Sequence, residues 1–465
     1  MVNILIKNGL VITMDEDRRI IKDGAVAIEK DRIVALGKTE ELGVKYADKV
    51  IDVQGNVVMP GLVNTHVHLF QSLLRSLGDD LKLFDWCAKM LNPIFPNLTE
   101  DDCYFGALLG CLEMIKSGTT CASDFHYVYT KPTLGDYIVK AMIDSGIRGI
   151  VARGFMDTDE AKIVPFLIEE GETALKRSEE FVRRWNGAAD KRIHISLAPG
   201  PPPWGSPELL KDAKELANKL KVGVQLHIAE TLDEVKIVKS LFRKRPIEFL
   251  NTLGILDPEL LAVHCVWATD KEIRMLKATD SKVSHNPTSN MYLASGVAPV
   301  PRIIKAGVTV GLGTDGAASN NNLDMFEAMK FAVLLHKVHN LDPTIIAAEK
   351  VLEMATIEGA RALGLEKDIG SLELGKKADI TIVNIKQLNT SPINRAFSQL
   401  VYCANGSNAD TVIIDGKILM ENRQITVTDE QQVIKRAQEQ ADDLVKRSGV
   451  EYLRETSAFQ PGCSL

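Results

Sequence analysis

Several features that mark particular protein classes are missing from this 465-residue sequence. No apolar run approaches the roughly 18 to 20 residues that a membrane-spanning helix requires. There is no surplus of positive charge, because 55 lysines and arginines stand against 62 aspartates and glutamates, a net charge of −7. Nucleic acid could then bind only at a local basic patch. We therefore expect neither a membrane nor a nucleic-acid partner.

The start of the chain and its cysteines also lack distinctive signals. The first residues have neither the basic region nor the long apolar region of a secretion signal, so we expect no such signal there. The seven cysteines are scattered, and no two of them form a CxxC pair. This odd, dispersed set argues against a disulfide framework and for a reducing compartment. With 45% hydrophobic and 25% charged residues, the composition is that of a globular protein, which we expect in the cytoplasm.

Short strand patterns occur at both ends of the chain. Near the start they cover residues 4–12, 24–29, 32–36 and 50–53, and near the end residues 378–384. Residues 410–421 form a further pattern, in which Asp415-Gly416 predicts the turn of a hairpin. Because the strands at either end are too few to form a core alone, we predict one small β-sandwich domain built from residues 1–60 and 371–425. A helix and tail, residues 426–465, would follow it.

The middle of the chain, residues 61–370, alternates short apolar runs with amphipathic stretches. The eight strand candidates are residues 62–65, 119–123, 149–153, 193–198, 223–227, 261–264, 282–285 and 308–313. Helical patterns cover residues 100–116, 134–145, 207–220 and 325–336, and outer helices are expected at 344–363 and 429–446. No glycine-rich phosphate turn follows the first of these strands, as an open nucleotide-binding sheet would require. The alternation therefore predicts an α/β fold whose main domain is a (β/α)8 TIM barrel.

Ionisable side chains occur where several of these strands end. His66 and His68 close the first strand, His227 the fifth, His264 the sixth and Asp315 the eighth. The carboxyl ends of barrel strands meet on one face, so these side chains are expected around a single site. Imidazole nitrogens and a carboxylate oxygen suit Zn²⁺, with iron as the alternative. The fourth strand contains no lysine that could bridge two metals, so we predict one divalent ion.

Glu230 lies three residues after His227, just past the fifth strand. A carboxyl group there would lie beside a metal-activated water and could carry its proton, first as general base and then as general acid. The alternative is a glutamate that stabilises the start of the following helix through the helix dipole. Its position next to the predicted metal ligands favours the catalytic role.

Several residues on the same face of the barrel are candidates for contact with a substrate. They lie in loops that follow strands, where barrel enzymes bind their ligands, or next to the first histidine pair. For each one, an ordinary packing or loop-orienting role is the competing interpretation. Arg75, four residues after Gln71, could also contact the polar edge of a ring, or it could face solvent on the first turn of a helix. The candidates are Gln71, Trp86, His126, Trp204, His285 and Asn290. Three other histidines are interpreted as structural: His194, His336 and His339.

Four segments of the sequence resemble the amidohydrolase superfamily. They are residues 58–68 (VMPGLVNTHVH), residues 118–120 (GTT), residues 311–316 (GLGTDG) and residues 370–379 (GSLELGKKAD). The resemblance runs over essentially the whole chain. It is greatest to the branch that contains atrazine chlorohydrolase, melamine deaminase, and guanine, 8-oxoguanine and S-adenosylhomocysteine deaminases.

This resemblance implies roles for the strand-end residues. His66, His68, His227 and Asp315 would bind the metal, and His264 would polarise the water or ligate directly. Asp315 would also accept a proton from the water, and Glu230 would protonate a ring nitrogen. Ser319 occupies a loop position that in the resembling enzymes separates amine from halide substrates. Homo-oligomers are common in that family, and we expect one here.

The function predicted from these residues is hydrolytic deamination of an amino-substituted nitrogen heterocycle. Guanine, 8-oxoguanine, isocytosine and s-triazines are examples of the substrate class, with metal-activated hydroxide attacking the ring carbon and ammonia leaving. One alternative is a triazine chlorohydrolase or dealkylaminase. Chloride leaves without a proton whereas ammonia needs one, so a chain with both Glu230 and Asp315 favours the deaminase. A non-catalytic scaffold with the same fold is a remote alternative, because such proteins typically lack some of the metal ligands.

Overall fold

The computed structural model describes residues 2–43, 46–160 and 162–455. Within these residues the strands form two separate sheets, one of nine strands and one of eight. In chain order the strands are β1 Val2–Ile12, β2 Ile20–Glu29, β3 Arg32–Lys38, β4 Ala47–Asp52, β5 Val57–Pro60, β6 Leu62–Val67, β7 Thr119–His126, β8 Arg148–Phe155, β9 Ile193–Pro199, β10 Val224–Ile228, β11 Leu260–His264, β12 Lys282–His285, β13 Val310–Leu312, β14 Ile380–Val383, β15 Ala409–Ile414, β16 Lys417–Glu421 and β17 Gln424–Ile425.

The nine-stranded sheet combines both ends of the chain. Its order is β17-β16-β15-β14-β5-β1-β2-β3, and β4 pairs with β1 beside this path. The junction between the two chain ends is β5, which runs antiparallel to β14 and parallel to β1. Apolar side chains from both ends, such as Ile6, Val26, Ile380 and Ile413, share one buried core. The predicted hairpin around Asp415-Gly416 is present as β15 and β16.

The eight-stranded sheet is a parallel barrel in which β6 to β13 follow one another in chain order. The first and last strands meet where the Asp315 backbone N–H, just beyond β13, donates to the His66 carbonyl at 3.0 Å. Each of the eight predicted strands overlaps one of these strands. The prediction of a TIM barrel with a small β domain built from both chain ends is therefore confirmed.

Helices of the described residues surround the barrel, and the helical segments predicted from the sequence are among them. The α-helices are α1 Leu83–Trp86, α2 Asn92–Ile94, α3 Glu100–Lys116, α4 Leu134–Ser145, α5 Gly171–Trp185, α6 Ala188–Lys191, α7 Pro207–Leu220, α8 Leu232–Phe242, α9 Pro246–Thr252, α10 Asp270–Ala278, α11 Pro287–Tyr292, α12 Val300–Lys305, α13 Met325–Asn340, α14 Ala348–Met354, α15 Ile357–Ala362, α16 Ala396–Ser398 and α17 Glu430–Arg447. Short 3-10 helices cover Leu69–Leu74, Phe95–Asn97, Pro165–Leu167, Gly406–Asn408 and Glu451–Arg454, and π-helical turns cover Cys87–Leu91 and Gln399–Cys403. None of the helices in the described ranges is long and apolar enough to cross a bilayer.

The outer helix predicted at residues 344–363 is instead two short helices, α14 and α15. The break lies at Thr356, whose φ of −134° and ψ of −102° are not helical. Just before it, the carbonyl of Ala355 accepts a hydrogen bond from the Val63 backbone N–H of the first barrel strand, at 2.8 Å. Because that carbonyl is held by a strand distant in sequence, local periodicity gave no sign of the break.

A buried ion cluster joins the barrel to the terminal sheet. Arg148, at the start of β8, donates two hydrogen bonds to Asp379, from Nε at 2.7 Å and from Nη2 at 3.1 Å. The same guanidinium also bonds Asp415 in the hairpin turn. Arg148 and Asp379 are almost completely buried, so each charge depends on its partner for solvation. The cluster therefore fixes how the sheet sits against the barrel.

Candidate metal centre and active-site cavity

Four barrel strands bring five ionisable side chains together on one face. His66 and His68 lie at the end of β6 with one residue between them, His227 lies on β10 and His264 ends β11, while Asp315 follows β13. One ligand atom each of His66, His68 and His227 lies within 4.8 Å of the others. The same holds for His66, His264 and Asp315. The structure thus places the five predicted residues in one cluster at the carboxyl ends of the strands.

The donor atoms of this cluster fit a divalent cation. His66 is fully buried, and neither of its ring nitrogens has a hydrogen-bond partner among the described residues. The Nδ1 of His68 donates to the Phe125 carbonyl at 2.6 Å, which leaves the lone pair of Nε2 available to the cluster. Nε2 of His66 and of His68 both lie 3.4 Å from Oδ1 of Asp315. Zinc and iron both bind buried sites in which nitrogen lone pairs converge on a carboxylate. A bound ion would also give one unpaired ring nitrogen of His66 a partner.

The electrostatics of the cluster favour the ligand form of its side chains. Burial lowers the pKa of His68 to about 3, and the neighbouring His66 acts in the same direction. His68 is therefore neutral at physiological pH, as a metal ligand must be. Asp315 is held by a hydrogen bond from the Ser289 hydroxyl to Oδ2 and one from the Gly316 N–H to Oδ1, both at 2.7 Å. These bonds orient its carboxylate toward the histidines.

Three residues of the site have left-handed backbone conformations. The φ angles are 52° for Ala229, 73° for His264 and 63° for Asp315. For residues other than glycine this region costs roughly 1 to 3 kcal/mol each, and such strain accumulates at functional sites. The strain turns the chain sharply where β10, β11 and β13 end, and the side chains there face the cluster.

Glu230 is a buried carboxyl group next to the histidines. Its Oε2 lies 3.7 Å from Nε2 of His264, and its Oε1 accepts a hydrogen bond of 3.3 Å from the Ser295 hydroxyl. Burial, together with the charge of Asp315, raises the pKa of Glu230 from its ordinary 4.5 to about 8. Such a carboxyl group is mostly protonated at pH 7 and can donate a proton.

The start of helix α8 is stabilised by a different glutamate. Glu230 precedes the N-cap of α8, and the side chain of Glu234 accepts the backbone N–H groups of Ala229 and Glu230. The geometry thus favours the catalytic interpretation of Glu230 over the helix-start alternative.

A cavity of about 150 Å³ opens over the cluster. Its polar lining consists of the cluster and a few neighbours, namely His68, Gln71, Tyr127, His227, Glu230, His264, Asp315 and Ser319. Most of the remaining lining is apolar, and no lysine or arginine lies among the described residues that form it. A larger groove of about 1320 Å³ lies between α3 and α17, but it contains none of the cluster residues. The cluster cavity is therefore the candidate active site.

Four of the predicted substrate contacts line this cavity: Gln71, Trp86, Trp204 and Ser319. The amide nitrogen of Gln71 donates to the Tyr127 hydroxyl at 2.9 Å, while its buried Oε1 has no partner among the described residues. The buried Nε1 of Trp204 also lacks one, whereas Nε1 of Trp86 donates to the Ala318 carbonyl. Gln71 and Trp204 thus each carry one buried polar atom, an acceptor and a donor respectively, that has no partner among the described residues beside this largely apolar cavity.

The other predicted contacts, His126, His285 and Asn290, do not line this cavity, and their contact with substrate stays a prediction. His126 points out of the barrel and packs on Phe70 and Tyr129. His285 faces α13, where its Nε2 lies 3.1 Å from Nε2 of His336. Asn290 contacts His264 rather than the cavity. Arg75, named beside Gln71, forms an ion pair with Glu113 instead.

Sequence reasoning missed the residues on either side of His126. Side chains alternate along a strand, so Phe125 and Tyr127 line the cavity when His126 faces outward. If the alternation had been followed along β7 and the residue after it, Phe125 and Tyr127 would have been identified as a pair that faces the same side. Ser289, which holds Asp315, lies on the short helix α11, and Ser295, which bonds Glu230, lies in the loop after it; no sequence pattern singles out either residue.

A parallel barrel with histidines and a carboxylate at its carboxyl-terminal face is an arrangement typical of metal-dependent hydrolases. The chain belongs to the Amidohydrolase family, whose model matches residues 57–419. It is 44% identical over 448 residues to a 5'-deoxyadenosine deaminase of Methanosarcina acetivorans, covering 96% of this chain and 100% of that protein. It is 39% identical over 444 residues to a 5-methylthioadenosine/S-adenosylhomocysteine deaminase of Caldanaerobacter subterraneus, covering 96% and 99%.

A solved structure agrees with this assignment. An adenosine deaminase from Xanthomonas campestris with bound zinc superposes with a TM-score of 0.90 at 30% identity, covering 96% of this chain and 99% of that one. The resemblance inferred from the sequence motifs is therefore confirmed, and the chain is an enzyme of the hydrolytic deaminase class.

Proposed function

We propose that the protein hydrolyses the exocyclic amine of the adenine ring in a nucleoside that lacks a 5′-hydroxyl group, such as 5′-deoxyadenosine. The observation that carries this proposal is the buried Glu230 carboxyl group, placed beside the histidine and aspartate cluster in a mainly apolar cavity. The two curated relatives described above support the choice of ring, because both names specify deamination of adenosine derivatives altered at the 5′ position.

We propose that His66, His68, His227 and Asp315 hold one divalent metal ion. Their donor atoms converge, and the unpaired nitrogens of buried His66 support this assignment. When bound, such an ion lowers the pKa of water from 15.7 towards roughly 7 and so supplies a nucleophile at neutral pH. Zinc is the favoured ion from the nitrogen-rich ligand set, and iron is the alternative.

The remaining roles belong to side chains that move or hold protons. Glu230, protonated at neutral pH because burial raises its pKa to about 8, donates its proton to N1 of the adenine ring. Asp315 accepts a proton from the attacking water, since its carboxylate is held in place by Ser289 and Gly316. The ring nitrogen needs this proton because negative charge develops there as the carbon becomes tetrahedral.

The character of the cavity supports an uncharged nucleoside as the substrate. Aromatic side chains of Trp86, Phe125, Tyr127 and Trp204 offer faces and edges for a planar base. A phosphate or carboxylate group would gain from an arginine or lysine, and the described lining offers neither. The unpaired Oε1 of Gln71 and Nε1 of Trp204 can pair with an amine and a ring nitrogen or ribose oxygen of the substrate.

The proposal is tested by assaying release of ammonia and of chloride from a panel of substrates with the metal-loaded enzyme. The panel contains 5′-deoxyadenosine, methylthioadenosine, S-adenosylhomocysteine, adenosine, AMP, guanine, 8-oxoguanine, isocytosine, melamine and atrazine. We expect ammonia at the highest kcat/KM from 5′-deoxyadenosine and methylthioadenosine, and a lower kcat/KM for the charged S-adenosylhomocysteine and AMP. Preferred turnover of guanine or melamine would refute the adenine assignment, and chloride release from atrazine without ammonia from any compound would favour the chlorohydrolase alternative.

A homo-oligomer and a cytoplasmic location stay predictions. Light scattering coupled to size-exclusion chromatography measures the first, since a mass at a multiple of the 51.1 kDa chain is expected. Fractionation of the source cells, with detection of the protein in the soluble fraction, measures the second.

A further inference from the structure

His264 faces different neighbours through its two ring nitrogens. Its Nε2 points at the reacting groups, 3.7 Å from Oε2 of Glu230 and 3.9 Å from Oδ2 of Asp315. Its Nδ1 faces two amide nitrogens, Nδ2 of Asn290 at 3.1 Å and Nδ2 of Asn286 at 3.3 Å. All five residues are at least nine-tenths buried, so water does not compete freely for these contacts.

The orientation of the Asn286 amide is held by its surroundings. The Ser284 hydroxyl donates to its Oδ1 at 3.4 Å. Gly313 packs so closely on this oxygen that an added Cβ would lie 2.3 Å from it. With the oxygen placed there, the NH₂ group of Asn286 is left to face His264. An amide NH₂ only donates hydrogen bonds, so the nitrogen that it faces must accept. Oδ1 of Asn290 has no partner among the described residues, so Asn286 sets this assignment and the NH₂ of Asn290 follows it.

We propose that Asn286 and Asn290 hold His264 in the neutral tautomer that carries its hydrogen on Nε2, so that His264 donates into the cavity and does not ligate the metal. In this tautomer Nδ1 has the lone pair that accepts the two amides, and Nε2 has the N–H that faces the two carboxyl groups. Neither nitrogen then offers a free lone pair to an ion. Asn286 and Asn290 are positioning residues, because they act on the reaction only through His264.

The tautomer is measured directly by ¹⁵N NMR on deuterated protein labelled with [¹⁵N]histidine. The His264 signals are assigned by their loss in His264→Gln. We expect a hydrogen-bearing Nε2 and a bare Nδ1, both in the metal-free protein and after titration with Zn²⁺. The signals of His66, His68 and His227 should shift on zinc addition far more than those of His264. A hydrogen on Nδ1 of wild-type His264, or loss of its Nε2–H when zinc binds, would overturn the proposal.

Substitutions then separate the tautomer from general packing. Asn290→Asp places an acceptor at Nδ1 and should draw the hydrogen there, which leaves Nε2 without its donor. We expect kcat to fall roughly 10²- to 10⁴-fold with KM within about threefold, because a mispositioned proton in a comparable histidine relay costs this much. Asn290→Ala keeps the Asn286 amide and should lose much less, with Nε2–H retained. The exposed Asn251→Asp on α9 is the matched control and should leave kcat unchanged.

The kinetic arm rests on the proposed function, whereas the NMR arm does not. If no deaminase substrate is found but His264 carries its hydrogen on Nε2 and Asn290→Asp moves it, the tautomer proposal stands and the proposed function fails. If turnover of 5′-deoxyadenosine is found but Asn290→Asp keeps both Nε2–H and the wild-type kcat, the tautomer proposal fails alone. Metal content near one ion per chain in each variant excludes loss of the site as the cause.

Discussion

The substitution Glu230→Gln should lower kcat strongly and, at the same time, stabilise the metal-free protein. Glutamine has nearly the shape of glutamate and can still accept the hydrogen bond from Ser295, but it has no acidic proton to donate. The metal ligands are untouched, so metal content should not change. A positioned acid contributes about 10² to 10⁴ in rate, and kcat should fall by that factor.

The expected gain in stability follows from the pKa of Glu230. In the folded protein this pKa is raised from 4.5 to about 8, mainly by burial. The folded state therefore holds the proton more tightly than the unfolded chain, and this contribution to stability is complete below pH 4.5 and is lost as the pH rises towards 8. At pH 7, about 2.5 units above 4.5, the raised pKa lowers the free energy of unfolding by roughly 3 to 4 kcal/mol, at about 1.4 kcal/mol per unit. Glutamine carries no charge and avoids this loss.

Thermal and urea unfolding of the metal-free proteins at pH 4.5 and pH 8 test this reasoning. The variant should unfold at a higher midpoint than the wild type at pH 8, and the difference should shrink at pH 4.5. Exposed Glu215→Gln on α7 removes the same charge elsewhere and should change neither the midpoint nor kcat. If the kcat of Glu230→Gln stays within about tenfold of the wild-type kcat, another group carries the proton. Equal midpoints at pH 8 would show that burial does not destabilise the Glu230 carboxylate.

Three further predictions concern the metal, the junction of the sheets and the cavity. Removal of metal by a chelator should abolish turnover and lower the unfolding midpoint, because only the folded chain assembles the ligands, and Zn²⁺ or Fe²⁺ should restore both. Full activity with no metal detectable by elemental analysis would contradict this. Arg148→Ala should lower the free energy of unfolding by about 3 to 5 kcal/mol, since it leaves buried Asp379 without its main partner; a loss below about 1 kcal/mol in urea titration would contradict it. Trp204→Phe, which removes an unpaired N–H from the cavity, should raise KM for 5′-deoxyadenosine about tenfold with kcat within about twofold. An unchanged KM would show that this N–H does not bind substrate.

The fold and the cluster of histidines with Asp315 were predictable because their signals are local. Each barrel strand is a short apolar run, and the histidines stand where those runs end, as in Asn64-Thr65-His66-Val67-His68. A regular barrel then places strand ends together whatever their separation along the chain. The alternation of side chains also explains why His66 and His68 face the same way.

The features that the sequence patterns did not reveal depend on contacts that no local pattern encodes. The helix expected at residues 344–363 is broken where Ala355 is bonded by a strand almost 300 residues earlier. His126 was taken as a cavity residue from its loop position, although its neighbours Phe125 and Tyr127 occupy the inward-facing positions. The partners of His285 and of His264 also come from distant segments, α13 and the loop after β12. Such pairings need three-dimensional packing before they can be seen.

The hydrogen bond between Asp315 and His66 has a consequence for how the protein matures. It joins the backbones of two of the proposed ligands where the first and last barrel strands meet, so closure of the barrel brings these two ligands together. During synthesis His66 and His68 leave the ribosome about 250 residues before Asp315 does, and a nascent chain can offer only an incomplete set of donors until then. The proposed ion can therefore be bound by all four ligands only after nearly seven-tenths of the polypeptide has emerged.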